Sequence, residues 1–270
     1  MTGRAYDLIQ PLDRERLREE FRNAPSFPHI AIENLLKPGV AEEVAAAFPS
    51  FEKAHELGLK FNFVNEQQKI QVTDRTKFPD AVARLGEAIT SPEFLADLEY
   101  ITGIPRLLVD EQYAGGGMHL TGPGGRLDVH VDFNQLEDRK LFRRLNILLY
   151  LNPGWRDEWG GHIELWDKGV KTCHFRQSPL LNRCLIFETS DISYHGVAPV
   201  NPSSPQIRQS FAAYYYTREP PPGPTVSHST VFKARPNERL RGLVYMPMEK
   251  LWRRMMTKIS EVRALIRPPR

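Results

Sequence analysis

The stretch GGRLDVHVDFN, residues 124–134, places His130 and Asp132 two positions apart in a Val-rich run. On a strand such residues share a face, so the imidazole and the carboxylate point together while Val129 and Val131 point away. The pair can be part of a metal site, a catalytic pair or a satisfied structural pair, and HxD alone does not decide. Downstream, SDISYHGVAPV carries His195 on another short strand-like segment. Two imidazoles and a carboxylate are the ligand set of a facial non-haem Fe(II) centre, which fills one face of an octahedron and leaves three positions open. A structural zinc site takes four protein ligands, often Cys, and Cys173 and Cys184 have no such spacing. Thirteen residues after His195, IRQSF sets Arg208 and Ser210 on one face of a further strand. A guanidinium aimed into a barrel is costly unless an anion meets it, and its planar fork fits a carboxylate. The chemistry implied is a metal beside an anion pocket.

Those residues need strands to hold them. From about residue 105 short apolar or alternating runs follow one another, separated by Gly, Pro and Asn: LDVHVDF (127–133), RLNILLYLN (144–152), GHIELWD (161–167), KTCHF (171–175), NRCLIFET (182–189), SYHGVAP (193–199) and IRQSFAAYYYT (207–217). Many short strands with turn signals between them predict a sandwich or barrel. The first 110 residues read mainly as helix. KPGVAEEVAAAF (37–48) has Pro and Glu in its opening turn, and SPEFLADLEYITG (91–103) has Ser91 to cap it, Pro92 to start it and Gly103 to end it. FPHIAIENLL (27–36) alternates and predicts a short strand.

The 270 residues are 41% hydrophobic and 26% charged, as in a soluble globular protein, and the net charge of +3 gives no general case for nucleic-acid binding. The charge is uneven: residues 233–270 hold 11 Lys/Arg against 3 Asp/Glu. Two cysteines make no disulfide framework. The opening residues lack the apolar core of a signal peptide, and no apolar run approaches a membrane span. The expectation is a cytoplasmic protein.

The stretch from about Tyr113 to Thr217 resembles the Fe(II)- and 2-oxoglutarate-dependent dioxygenases, in particular their prolyl-4-hydroxylase-like branch. The likeness rests on HVD (130–132), RRLNILLYLNPGW (143–155), GGHIELWD (160–167), CLIFETSDISYHGVAPV (184–200) and IRQSFAAYYYT (207–217). It implies a double-stranded β-helix, the cupin-like jelly roll of an α+β protein, at residues 105–218. A mainly helical portion (1–104) would be packed on it, and a Pro-rich connection with a C-terminal helix (219–270) would follow, the whole forming one catalytic unit.

The resemblance also implies roles. His130, Asp132 and His195 would hold Fe(II); Arg208, helped by Ser210, would meet the distal carboxylate of 2-oxoglutarate; Tyr150, Asn146 and, more loosely, Tyr113 would line the co-substrate pocket. Many prolyl hydroxylases of this branch have Lys where Arg208 stands; the arginine keeps 2-oxoglutarate binding but weakens transfer of their substrate to this chain. The reaction implied consumes O2 and 2-oxoglutarate, releases succinate and CO2 and hydroxylates an unactivated C–H bond of a peptide side chain or a small metabolite. Desaturation and cyclisation are the variants. His119 and Arg126, in or beside the glycine-rich AGGGMHLTGPGG (114–125), and Trp155 are candidate substrate contacts.

Two other readings remain open on the residues themselves. One is a cupin-type metal enzyme without 2-oxoglutarate, and the other is a non-catalytic jelly-roll binding module. The tail MPMEKLWRRMMTKISEVRALIR puts Leu251, Trp252, Met255, Met256, Ile259, Val262 and Ile266 on one side at helical spacing, with Arg253, Arg254, Lys258, Arg263 and Arg267 elsewhere. Such a helix packs on its own domain or on a twin subunit of a homo-oligomer, or lies on an anionic membrane or a partner.

Overall fold

The computed structural model describes residues 5–223, 226–238 and 240–248. The strands are β1 His29–Ile32, β2 Leu59–Phe61, β3 Glu66–Val72, β4 Leu108–Val109, β5 Gly117–Val131, β6 Gln135–Leu136, β7 Leu141–Tyr150, β8 Ile163–Trp166, β9 Cys173–Gln177, β10 Cys184–Glu188, β11 His195–Val197, β12 Arg208–Thr217 and β13 Val231–Lys233. They form one antiparallel sheet whose main path runs β1-β10-β7-β12-β5-β11-β8-β9, with β3 and β13 added along β5. The expected strands of the second half are all present, and the curled sheet is the jelly-roll half-barrel of an α+β protein.

The helices α1 Arg14–Asn23, α2 Val40–Ala47, α3 Phe51–Leu57, α4 Asp80–Ile89 and α5 Pro92–Thr102 come from the first half. In α5 the Ser91 hydroxyl accepts from the Phe94 N–H, Pro92 stands in the first turn, and Gly103 closes the helix in the left-handed region, all as the sequence predicts. Residues 1–104 also give three strands to the sheet, of which the alternation at 27–36 announced only β1.

Strand parity divides the two jobs of the sheet. Leu145, Ile147 and Leu149 of β7 and Phe211, Ala213 and Tyr215 of β12 face the helices and join one core with Leu85, Ile89, Phe94 and Leu98. Each fully buried aliphatic side chain there contributes about 1.5–3 kcal/mol. The alternate residues, Asn146 and Leu148 of β7 and Ser210 and Tyr214 of β12, line a cavity of about 1230 Å³ on the concave side.

Two expectations change. The glycine-rich run 114–125 reads as a loop, yet from Gly117 it is part of β5, a 15-residue strand. Glycine serves close approach there: a Cβ on Gly117, at φ +82°, would collide with the main chain of β3 at Val72. Residues 219–270 read as connection and helix, yet Val231–Lys233 forms β13 and pairs with Val129–Val131 of β5. Residues 240–248 wind as helix, and the rest of the expected C-terminal helix falls on residues outside the described ones. Among the described residues, no helix is long and apolar enough to cross a membrane.

Candidate active site

β5 ends on the site. It carries His130 on its last turn of pleat, and Asp132 follows the strand directly. β11 lies beside it with His195 opposite His130, so the two imidazoles meet across the ladder with ring centroids 4.3 Å apart. His130 Nε2 is 3.5 Å from Asp132 Oδ1, and His195 Nε2 is 3.4 Å from Asp132 Oδ2. Bonds of about 2.1 Å to one octahedral face set neighbouring ligand atoms about 3 Å apart, so this spacing is close to that of a bound ion. Among the described residues no further His, Cys, Asp or Glu joins the three. An ion held by them keeps open positions.

The main chain selects the tautomer. His130 Nδ1 lies 2.9 Å from the Asp128 carbonyl and His195 Nδ1 lies 3.0 Å from the Ser193 carbonyl. Each Nδ1 therefore donates its proton outward and each Nε2 presents its lone pair to the centre, as a metal-bound histidine requires. Burial, then the neighbouring His130, pulls the His195 pKa down to about 3, so this ring is neutral at ordinary pH. Phe187 and Phe232 flank the pair at 4.7 Å from His195 and 5.3 Å from His130.

A residue not anticipated from the sequence controls the carboxylate. Arg143, on β7, makes an ion pair with Asp132 Oδ2 at 2.9 Å. Its Nε donates to Asn146 Oδ1 at 2.8 Å, and Asn146 Nδ2 donates to the same Asp132 oxygen at 2.7 Å. Burial pushes the Asp132 carboxyl up, but Arg143 and the two histidines outweigh it and hold the group well below the usual carboxylate range. Asp132 is thus an anion with one oxygen occupied by donors. Simple alternation puts Arg144, not Arg143, on the face of Asn146. A bulge removes the parity: Tyr215 pairs with Leu145 and Tyr216 with Arg143, which leaves Arg144 extra and turns Arg143 into the cavity. The Arg143 guanidinium then lies 3.5 Å from the Tyr214 ring centroid.

β12 brings Arg208 and Ser210 to the wall of the same cavity. Arg208 is 3% exposed; its Nε donates to the Gly161 carbonyl at 2.7 Å, and its Nη1 reaches Ser210 Oγ at 3.5 Å. Burial pulls its pKa down, and among the described residues no carboxylate comes within ion-pair distance of it. Tyr150 pairs with Ser210 across the ladder, and the Arg208 guanidinium lies 5.1 Å from its ring centroid. The Tyr150 hydroxyl is buried beside that guanidinium, and burial pushes its pKa up against the opposing pull of Arg208. A buried cation with no carboxylate beside it among the described residues, next to a phenol and a serine, fits a dicarboxylate with one end here and the other at the triad.

Gly161 makes this placement possible. It adopts φ +67°, and a Cβ there would press on the Arg208 side chain at 3.0 Å. Gly161→Ala is expected to combine left-handed strain of about 1–3 kcal/mol with displacement of Arg208. The 2-oxoglutarate KM should rise while iron affinity stays within twofold or so; an equal loss of both would show a general folding defect instead.

The remaining anticipated residues separate. His119 lies on β5 and lines the cavity, with its Nε2 2.8 Å from Gln71 Nε2 and 3.0 Å from the Gly115 carbonyl. Asn146 lines the cavity too, but it is committed to Asp132 rather than to Arg208. Tyr113 sits in the helix-side core against Phe78 and Phe211 at ring distances of 5.6 Å. Arg126 pairs with Asp128 and Glu238, each at 2.6 Å. Trp155 packs edge-on to Trp159 at 5.5 Å, and its Nε1 donates to the Gly160 carbonyl. Tyr113, Arg126 and Trp155 are off the cavity wall; they hold the core, the C-terminal segment and a loop.

Burial, followed by the nearby cations Lys69 and Arg208, lowers the His119 pKa to about 3. The unfolded ring, with its ordinary value of 6.5, takes up a proton first on acidification. The stability due to neutral His119 is present above 6.5 and lost as pH falls from 6.5 toward 3, at up to about 1.4 kcal/mol per pH unit. Thermal melts at neutral and mildly acid pH should show this loss, and His119→Gln should shrink it. An unchanged slope in the variant would mean that His119 does not cause it.

Residues 116–216 match the family model of the 2OG-Fe(II) oxygenase superfamily. Among solved structures, a prolyl 4-hydroxylase from Phytophthora capsici aligns with TM-score 0.52 at 19% identity, over 77% of this chain and 66% of that one. A Pseudomonas putida prolyl-4-hydroxylase aligns with TM-score 0.55 at 17% identity, over 76% and 99%. A prolyl hydroxylase from Trichoplax adhaerens, in complex with a hypoxia inducible factor oxygen degradation domain peptide fragment, aligns with TM-score 0.53 at 17% identity, over 75% and 90%. At these identities the structural likeness is one of fold. No curated protein matches the chain.

Proposed function

We propose that this chain, an enzyme whose residues 116–216 belong to the 2OG-Fe(II) oxygenase superfamily with its Fe(II), 2-oxoglutarate and O2, hydroxylates an unactivated C–H bond of a peptide side chain or small metabolite. The observation that carries this reading is Arg208, a buried guanidinium with no carboxylate beside it, in the same cavity as His130, Asp132 and His195. His130 Nε2, Asp132 and His195 Nε2 hold the iron. Arg143 and Asn146 fix Asp132 Oδ2, which leaves Oδ1 as its free oxygen.

Arg208, Ser210 and the Tyr150 hydroxyl receive the distal carboxylate of 2-oxoglutarate, and this end-on capture orients the molecule toward the metal. When bound, iron and 2-oxoglutarate would supply the oxidising power for hydroxylation by O2, with succinate and CO2 as co-products. Tyr214, Phe133 and Phe232 wall the reacting face of the cavity against bulk water. The peptide held by the Trichoplax adhaerens enzyme supports a peptide substrate, and the cavity volume of about 1230 Å³ supports a metabolite equally well.

The test is an anaerobic titration of the apo protein with Fe(II) and then 2-oxoglutarate, followed by visible absorption. A charge-transfer band that needs both additions and is absent in His195→Ala is the expected result. Iron binding on which 2-oxoglutarate has no effect would instead favour a cupin-type enzyme that does without it. Failure to bind iron would leave a binding module.

A further inference from the structure

The C-terminal segment is fastened to the body by its arginines. Asp128, fully buried, receives Arg126 at 2.6 Å, Arg241 at 3.0 Å and Arg235 at 3.5 Å. Arg235 also pairs with Glu164 at 2.7 Å, and Arg241 donates to the Val64 carbonyl in the β2–β3 turn. This anchorage turns Gly242, Met246 and Pro247 toward the cavity, whose wall they help to form. The opposite side of the same segment is apolar and open. Leu240 is 73% exposed, Leu243 77%, Val244 43%, Tyr245 56% and Met248 63%. Single exposed apolar residues are ordinary, but five within nine positions form a patch that implies a partner.

The following sequence identifies its chemistry. Leu240, Val244 and Met248 recur at helical spacing, and the spacing continues through Leu251, Trp252, Met255, Ile259, Val262 and Ile266. Residues 249–270 carry seven Lys/Arg against two Asp/Glu, while residues 1–248 hold a slight excess of acid. An anionic surface that also accepts apolar side chains satisfies both features, and a phospholipid interface has that composition.

We propose that the exposed face of residues 240–248 docks on an anionic phospholipid surface, with the basic sequence after it supplying the electrostatic attraction. Docking sets the C-terminal wall of the cavity against the lipid, so that substrates borne at the interface reach the site without crossing bulk water.

Co-sedimentation of the full chain with phosphatidylcholine vesicles, with and without about one-third phosphatidylglycerol, tests this. Binding is expected only with the anionic lipid and should weaken as salt is raised. Arg253→Gln with Arg254→Gln should lower the partition coefficient by roughly twentyfold, about fivefold for each cation. Leu243→Glu, at a position exposed in the fold, should abolish binding while circular dichroism stays unchanged. No sedimentation with anionic vesicles, or equal sedimentation with both compositions, would overturn the proposal. So would a lipid-free dimer that Leu243→Glu dissociates, because the patch would then belong to a second copy.

Discussion

Asp132→Ala is expected to reduce succinate formation at least about a thousandfold, the order of effect seen when a charge-bearing element of an active site is removed. It removes a proposed ligand and, in the same stroke, the only carboxylate that the described residues place within ion-pair distance of Arg143. Arg143 has a side chain 1% exposed, and a buried cation stripped of its partner destabilises a fold by about 3–5 kcal/mol. The variant should therefore lose both activity and thermal stability, and the two losses have different causes. Asp132→Ala combined with Arg143→Met separates them: thermal stability should largely return, whereas iron binding and turnover should not. Turnover by Asp132→Ala within tenfold of the parent would remove Asp132 from the ligand set.

Arg208→Met is the second large effect, and it has the opposite sign on stability. The guanidinium is buried, and among the described residues no carboxylate pairs with it, so a methionine of similar length should leave the apo protein as stable or more stable. Replacement of buried charges by apolar residues gives a gain of about 1–4 kcal/mol in favourable cases, against roughly 1 kcal/mol for the lost bond to the Gly161 carbonyl. The 2-oxoglutarate complex should weaken by about 2–5 kcal/mol, or roughly 30-fold to several thousandfold, because a carboxylate would be buried without its cation. Isothermal titration of 2-oxoglutarate into the metal-loaded protein and calorimetric melting of the apo protein read the two quantities separately. An ordinary 2-oxoglutarate requirement in this variant would refute the assignment of Arg208.

The members of the candidate site were more legible in the sequence than the frame around them. His130, Asp132, His195 and Arg208 stand out as candidates because a metal and an anion accept few residue types, and strand parity tells which of them point together. Arg143 stayed hidden although it is next to Arg144 in plain view: the bulge that turns it inward exists only in the pairing of β7 with β12, which no local pattern encodes. His119 was misplaced in a loop because glycines normally weaken strands, whereas Gly117 is there to let two main chains approach. β13 escaped notice because three residues in a polar, proline-rich surrounding carry too little alternation. Its formation depends on the free edge that β5 offers. Tyr113 and Trp155 are close to the site in sequence but pack in the core and in a loop, and aromatic character alone does not tell these places apart.

The parity of β7 and β12 has a consequence for how such a protein changes over generations. Odd-numbered positions 145, 147 and 149 face the helices, while Asn146 and Leu148 look into the cavity between them. A substitution at Leu148 alters what the cavity admits and leaves the helix-facing side chains where they were. Inheritance of a new substrate and inheritance of the fold thus run along the same few residues of chain, yet they can be selected almost independently.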